Sequence, residues 1–96
     1  MATYIVLGNY TDQGIRTIKD APKRTEAVKE MARKSGVTLK ETFWTLGAYD
    51  FVSIIEAPDD QSMMSLGMSI GALGNVRTQT LRAFSAADIG AIIGKM

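Results

Sequence analysis

The sequence predicts an α+β domain: a four-stranded antiparallel sheet with two helices on one face and a short helix at the C-terminus. Three observations carry this expectation. Four short runs are rich in β-branched and aromatic residues, two longer stretches between them repeat apolar residues at three- and four-residue steps, and no segment recurs at a solenoid period. The chain has 96 residues, 46% of them hydrophobic and 22% charged, which is material for one core, so residues 1–96 are read as a single domain.

The first run, Thr3 to Tyr10, ends at the turn-prone Thr11, Asp12, Gln13 and Gly14. Its apolar residues fall on both faces, so this strand is expected inside the sheet with both sides covered. Ile15 and Ile18 suggest one turn of helix. Asp20, Ala21 and Pro22 then open a longer helix reaching Lys34, with Asp20 as its N-cap and proline confined to the first turn. Ala27, Val28, Met31, Ala32 and Ser35 supply its buried stripe, and Gly36 its stop. Residues 37–46 and 51–56 are two further strands. Between Leu46 and Tyr49, Gly47 and Ala48 suit a two-residue type II′ hairpin, which asks for positive φ at Gly47.

A second long helix begins at Pro58, Asp59 and Asp60, where acids favour the helix N-terminus, and it buries Met63, Leu66, Gly67, Ile70 and Leu73. Gly67 and Gly71 read as permitting close approach to the sheet or to a partner; Gly74 and Asn75 end the helix. A fourth strand covers 76–84. Ser85 and Asp88 then form a capping-box start, and Ile89, Ile92, Ile93 and Met96 line one face of a terminal helix. Gly90 and Gly94 each weaken that helix by roughly 1 kcal/mol, so it is expected to need a docking surface.

The order β-α-β-β-α-β with a terminal helix is the split βαβ arrangement of ferredoxin-like domains. Both long helices then share one face of the sheet. The other face carries the second apolar side of strand 1 and either Phe43 or Trp44, and a second copy of the chain is expected to cover it.

Composition removes several chemistries. The chain has no Cys and no His, which excludes disulfides, thiolate-held metals and a histidine base or haem ligand. No cofactor is expected. Residues 16–34 hold seven Lys or Arg against Asp20, Glu26 and Glu30, whereas 41–60 hold five acids and no base. The first group reads as a solvated helix face, and Lys19, Lys23 and Arg24 as surface charges. With net charge +1 and an isoelectric point near 8.0, no nucleic-acid partner is expected. No apolar stretch has membrane-spanning length, the N-terminus lacks a basic leader region, and a cytoplasmic protein is the expectation.

The segment Leu46-Gly47-Ala48-Tyr49-Asp50-Phe51-Val52, followed by Glu56-Ala57-Pro58-Asp59-Asp60, resembles the GYD domain family of small bacterial and archaeal proteins. Three further stretches resemble it too: Leu7 to Gly14, Ile18 to Arg24, and Leu73 to Phe84. Ala48 interrupts the name-giving Gly, Tyr and Asp. The resemblance implies a ferredoxin-like fold related to dimeric α+β barrels. That wider group includes regulatory ligand-binding domains, cofactor-free oxygenases, isomerases and haem enzymes, and the absence of His counts against the last. Fold likeness by itself selects none of them.

Several side chains are candidates for a site. Tyr49 and Asp50 offer a hydroxyl donor and a carboxylate base, or else end the hairpin. Asn9, Thr11 and Gln13 sit where strand 1 leaves the sheet. Arg77 and Arg82 lie at opposite parity on strand 4, so one of them faces the open side, as an anion clamp or in an ion pair with Glu41 or Glu56. Trp44 offers a stacking wall or plain core. The two inner strands are expected to run parallel, which puts Asn9 and Thr11 at one end of the subunit and Tyr49 and Asp50 at the other. A shared cleft then needs a second copy. The reading favoured is a homo-oligomer binding a small polar or anionic metabolite, ahead of a cofactor-free enzyme using Tyr49, Asp50 and Arg82 or a pure assembly module.

Overall fold

The computed structural model describes all residues from Met1 to Met96. Strand β1 (Ala2–Tyr10) leads through a short helix α1 (Asp12–Arg16) and a 3₁₀ turn (Ile18–Asp20) into α2 (Ala21–Lys34). Strands β2 (Thr38–Trp44) and β3 (Phe51–Ala57), helix α3 (Asp60–Ala72), strand β4 (Val76–Ala83) and helix α4 (Ala86–Ile93) follow. The sheet order is β2-β3-β1-β4, the ferredoxin-like arrangement, and every neighbouring pair is antiparallel.

Antiparallel pairing of the two inner strands overturns the expectation that they are parallel. Gly8 near the end of β1 lies opposite Phe51 at the start of β3. The reason is the hairpin: α2 returns the chain so that β2 runs with β1, and the turn after β2 sends β3 back between them. The ends bearing Asn9 and Asp50 are therefore neighbours within one chain.

Alternation assigns the two faces. Tyr4 and Val6 of β1, Leu39 of β2, and Ser53, Ile55 and Ala57 of β3 are buried toward the helices, against Ala32 of α2 and Met63 and Leu66 of α3. Ile5, Leu7, Phe43, Val52, Ile54 and Leu81 take the opposite parity and form the open face, with Phe43 and Leu81 exposed. Of the two aromatics of β2, Phe43 is thus the one on the open side, and Trp44 belongs to the helix side.

Two local expectations need correction and a third is narrowed. The β2–β3 connection spans residues 45–50 rather than two, because Trp44 already pairs with Phe51. Asp50 is withdrawn from hairpin pairing by its backbone N–H, which donates to the carbonyl of Gly8 at 2.8 Å, and the loop closes by Thr45 N–H to the Asp50 carbonyl at 2.9 Å. Gly47 still has positive φ, at 111°. Asp20 occupies the N-cap position of α2 but makes no side-chain cap bond: the 3₁₀ turn feeds straight into the helix and Asp20 already has helical angles, φ −87° and ψ 0°. A Cβ at Gly67 or Gly71 would meet nothing within 4 Å, so neither glycine is needed for close approach to the sheet.

The terminal helix does have its capping box. Ser85 Oγ accepts from Asp88 N–H at 3.1 Å and the Asp88 carboxylate accepts from Ser85 N–H at 3.0 Å. None of its residues is buried, and Ile89, Ile92 and Ile93 remain exposed.

Candidate functional site

Helices α2 and α3 leave a cavity of about 160 Å³ between themselves and the sheet. Its floor is set by strand register: Thr42, Ser53, Val6 and Thr80 form one row across the four strands, and Trp44, Phe51, Gly8 and Thr78 the next. Thr42 and Ser53 hydrogen-bond to each other at 3.0 Å, which satisfies the buried serine. Val28 and Met31 of α2 and Met63 and Ile70 of α3 supply the apolar walls. Gly67 of α3 also lines the space, and its missing side chain is part of why the space exists.

One end of the cavity is aromatic. The Phe51 ring lies across Gly8, where a Cβ would sit 2.0 Å from the ring Cζ, so only glycine fits beneath it. Tyr10 packs on Phe51 with centroids 5.6 Å apart, and its hydroxyl accepts from Trp44 Nε1–H at 2.8 Å. Arg24 completes this end. Its guanidinium carbon lies 5.9 Å from the Tyr10 ring centroid, and it donates to Thr17 O at 3.2 Å, Thr17 Oγ1 at 2.6 Å and Gly14 O at 3.1 Å. Arg24 belongs to neither ion pair of the chain, which join Arg33 to Glu30 and Lys40 to Glu56. No acidic side chain lines the cavity.

The residues singled out from the sequence divide into three places. Tyr49, Asp50, Asn9 and Arg77 gather at one end of the single chain. The Asp50 carboxylate accepts from Tyr10 N–H at 2.8 Å, Tyr49 donates its hydroxyl to Gln79 Oε1 at 3.0 Å, and Asn9 sits opposite Arg77 across β1 and β4. The geometry brings Asn9 and Asp50 together without a second copy, contrary to the expectation from parallel strands. Thr11 is tied into the adjoining turn: its hydroxyl donates to Gly74 O at 2.6 Å and accepts from Gly14 N–H at 3.1 Å, capping α1. Gln13 bonds Leu73 O and Asn75 Oδ1 from the same turn. Trp44 lines the cavity instead.

Arg82 lies at the far end of the sheet, on the helix side opposite Tyr4, while Arg77 takes the open-face parity. The Arg82 guanidinium carbon stands 5.5 Å from the Tyr4 ring centroid and 4.6 Å from that of Phe84, and it donates to Thr3 O at 3.1 Å. Beside it the Tyr4 hydroxyl donates a short hydrogen bond to Asp60. That bond to the Asp60 carboxylate is the main reason the Tyr4 pKa is raised, with burial and the negative charge of Asp60 acting in the same direction.

Sequence reasoning missed the cavity and the parts of Arg24, Tyr10 and Gly8 in it. Arg24 reads as one cation among many on a basic helix, and only the tertiary fold aims it inward. Gly8 did leave a signal: glycine inside a strand marks close approach.

Residues 4–93 match the GYD domain. A curated protein of Thermus thermophilus named "Glutamine synthetase and cystathionine beta-lyase binding protein" is 37% identical over 90 residues, covering 93% of this chain and 95% of that one. Two solved structures share the fold. The crystal structure of FFRP-DM1 superposes with TM-score 0.63 at 17% identity over 88% of this chain and 100% of the other. That of TTHA0845 from Thermus thermophilus gives 0.56 at 24% identity over 90% and 96%.

Proposed function

The chain belongs to the GYD domain family, and from that premise we propose that it is a homo-oligomeric binding domain, rather than an enzyme, that holds a small molecule between its sheet and its two long helices. The observation that carries this reading is the cavity of about 160 Å³, apolar on its walls and hydroxyl-bearing on its floor. Binding pockets combine a mostly apolar lining with a few placed polar groups, and this one has that composition. Self-association is supported by the open sheet face, where Ile5, Leu7, Phe43, Val52, Ile54 and Leu81 have no cover within the subunit.

The test is an amide chemical-shift survey with a panel of small apolar and amphipathic compounds. Shifts clustering on Val28, Met31, Met63, Ile70 and Thr80 support the reading. A panel that moves no residue of this group refutes it.

A second reading is favoured by the relative's name. The Thermus protein, 37% identical, is named for binding two enzymes, so this chain would dock a partner protein. The exposed terminal helix or the open sheet face would then be its contact surface. Retention of glutamine synthetase from the same organism on the immobilised chain, lost on Phe43→Asp, supports it; equal retention by both refutes the sheet-face contact.

A further inference from the structure

We infer that the molecule held in the sheet–helix cavity is a small monocarboxylate with an apolar body, its carboxylate bound by Arg24 and its body lying between the methionine walls of α2 and α3. This rests on the reading of the cavity as a small-molecule site and names the ligand class. Size comes first. A cavity of about 160 Å³ is close to the engineered apolar cavity of about 150 Å³ that takes benzene, so the body is about six to eight carbons.

Charge decides the rest. Arg24 is the only charged side chain lining the cavity, and no carboxylate neutralises it. Its bonds to Thr17 and Gly14 use three of the five N–H donors of a guanidinium, so two remain for an incoming oxygen pair. The guanidinium carbon lies 5.9 Å from the Tyr10 ring centroid and its bonds to Thr17 and Gly14 hold it in place, and the planar donor fork of a guanidinium suits a flat carboxylate. One negative charge therefore finds a partner in Arg24, and within this cavity a second would have none; the next cation along the sheet is Arg82, in the adjoining cleft that shares Met63, Gly67, Thr78 and Thr80. An ammonium group would meet the like charge of Arg24. The aromatic end formed by Tyr10, Phe51 and Trp44 and the flexible methionines accept either an alkyl or a phenyl body.

Trp44 is the only tryptophan of the chain and lines the cavity, so its emission reports occupancy directly. The full-length protein is titrated with octanoate, 3-phenylpropionate, octan-1-ol and octylamine, all below their micellar concentrations. The carboxylates are expected to bind at least about 10-fold more tightly than the alcohol, the range set by a hydrogen bond to a charged group, and octylamine not to bind. The alkyl and phenyl acids tell the two kinds of body apart. Arg24→Met keeps an unbranched apolar stem and removes the charged head; it is expected to bring octanoate down to the level of octanol. Gly67→Leu, which enters open space, is expected to block all the ligands. Should Arg24→Met fail to fold, the ligand series on the unaltered protein still decides. Octanol binding as well as octanoate overturns the carboxylate assignment and leaves the cavity reading standing. If no compound perturbs Trp44, both fall.

Discussion

Gly67 lies in the middle of α3, and the space above it is empty: a Cβ added there meets no atom within 4 Å. Glycine inside a helix costs roughly 0.5–1 kcal/mol relative to alanine through backbone entropy, so Gly67→Ala is expected to stabilise the protein by about that amount. For a domain of this size that raises the melting temperature by about 2–8 °C. The matched control is Gly14→Ala. There a Cβ would stand 1.9 Å from the backbone carbonyl oxygen of Asn75, which also accepts the Thr11 N–H at 3.1 Å. Backbone has little freedom to yield, so Gly14→Ala is expected to lower the melting temperature and detach α1 from the turn before β4. Thermal melts followed by circular dichroism measure both. A fall in melting temperature for Gly67→Ala would refute the free space over α3 and put another surface against it in the assembled protein.

Four further outcomes are expected. If the open sheet face is the interface of the proposed homo-oligomer, the unaltered protein should scatter as an oligomer and Ile54→Lys as a monomer; an unaltered particle mass would remove that face as the interface. Thr11→Val loses a cap on α1 and a bond to Gly74 O; it should cost about 1–2 kcal/mol in denaturant titration, and no change would mean that water replaces both bonds. The carboxyls of Asp59 and Asp88 are held below their ordinary value of 3.8, mainly by the backbone N–H groups of Ser62 and Ser85. Their contribution is present above that value and lost as pH falls through the lower folded values, because the unfolded chain then takes up the protons first. Helix content should drop over that acid range, and Asp59→Asn with Asp88→Asn should flatten the profile; an identical profile in the double variant would refute the assignment. Deleting Ala86 to Met96 should weaken self-association measured by sedimentation, since α4 buries none of its residues within the subunit; unaltered association would mean that α4 has no part in the assembly.

How the chain is organised was legible where local chemistry decides. Alternation and helical steps gave the element order, Gly47 the positive φ, and Ser85 with Asp88 the capping box, because each depends on residues a few positions apart. The family resemblance followed from the same linear stretches. What the residues left open depended on pairing at long range. The antiparallel register of β1 and β3 brings Asp50 to the Tyr10 amide and moves Arg82 away from both. The width of the loop at 45–50 follows from Asp50 dividing its backbone bonds, its N–H going to Gly8 of β1 and its carbonyl to Thr45. Arg24 shows the difference most plainly: its neighbours in sequence make it a surface charge, while the carbonyls of Thr17 and Gly14 and the ring of Tyr10 turn it toward a cavity. A cavity is space enclosed by several elements at once, so no run of residues encodes it; it exists only when sheet and helices meet.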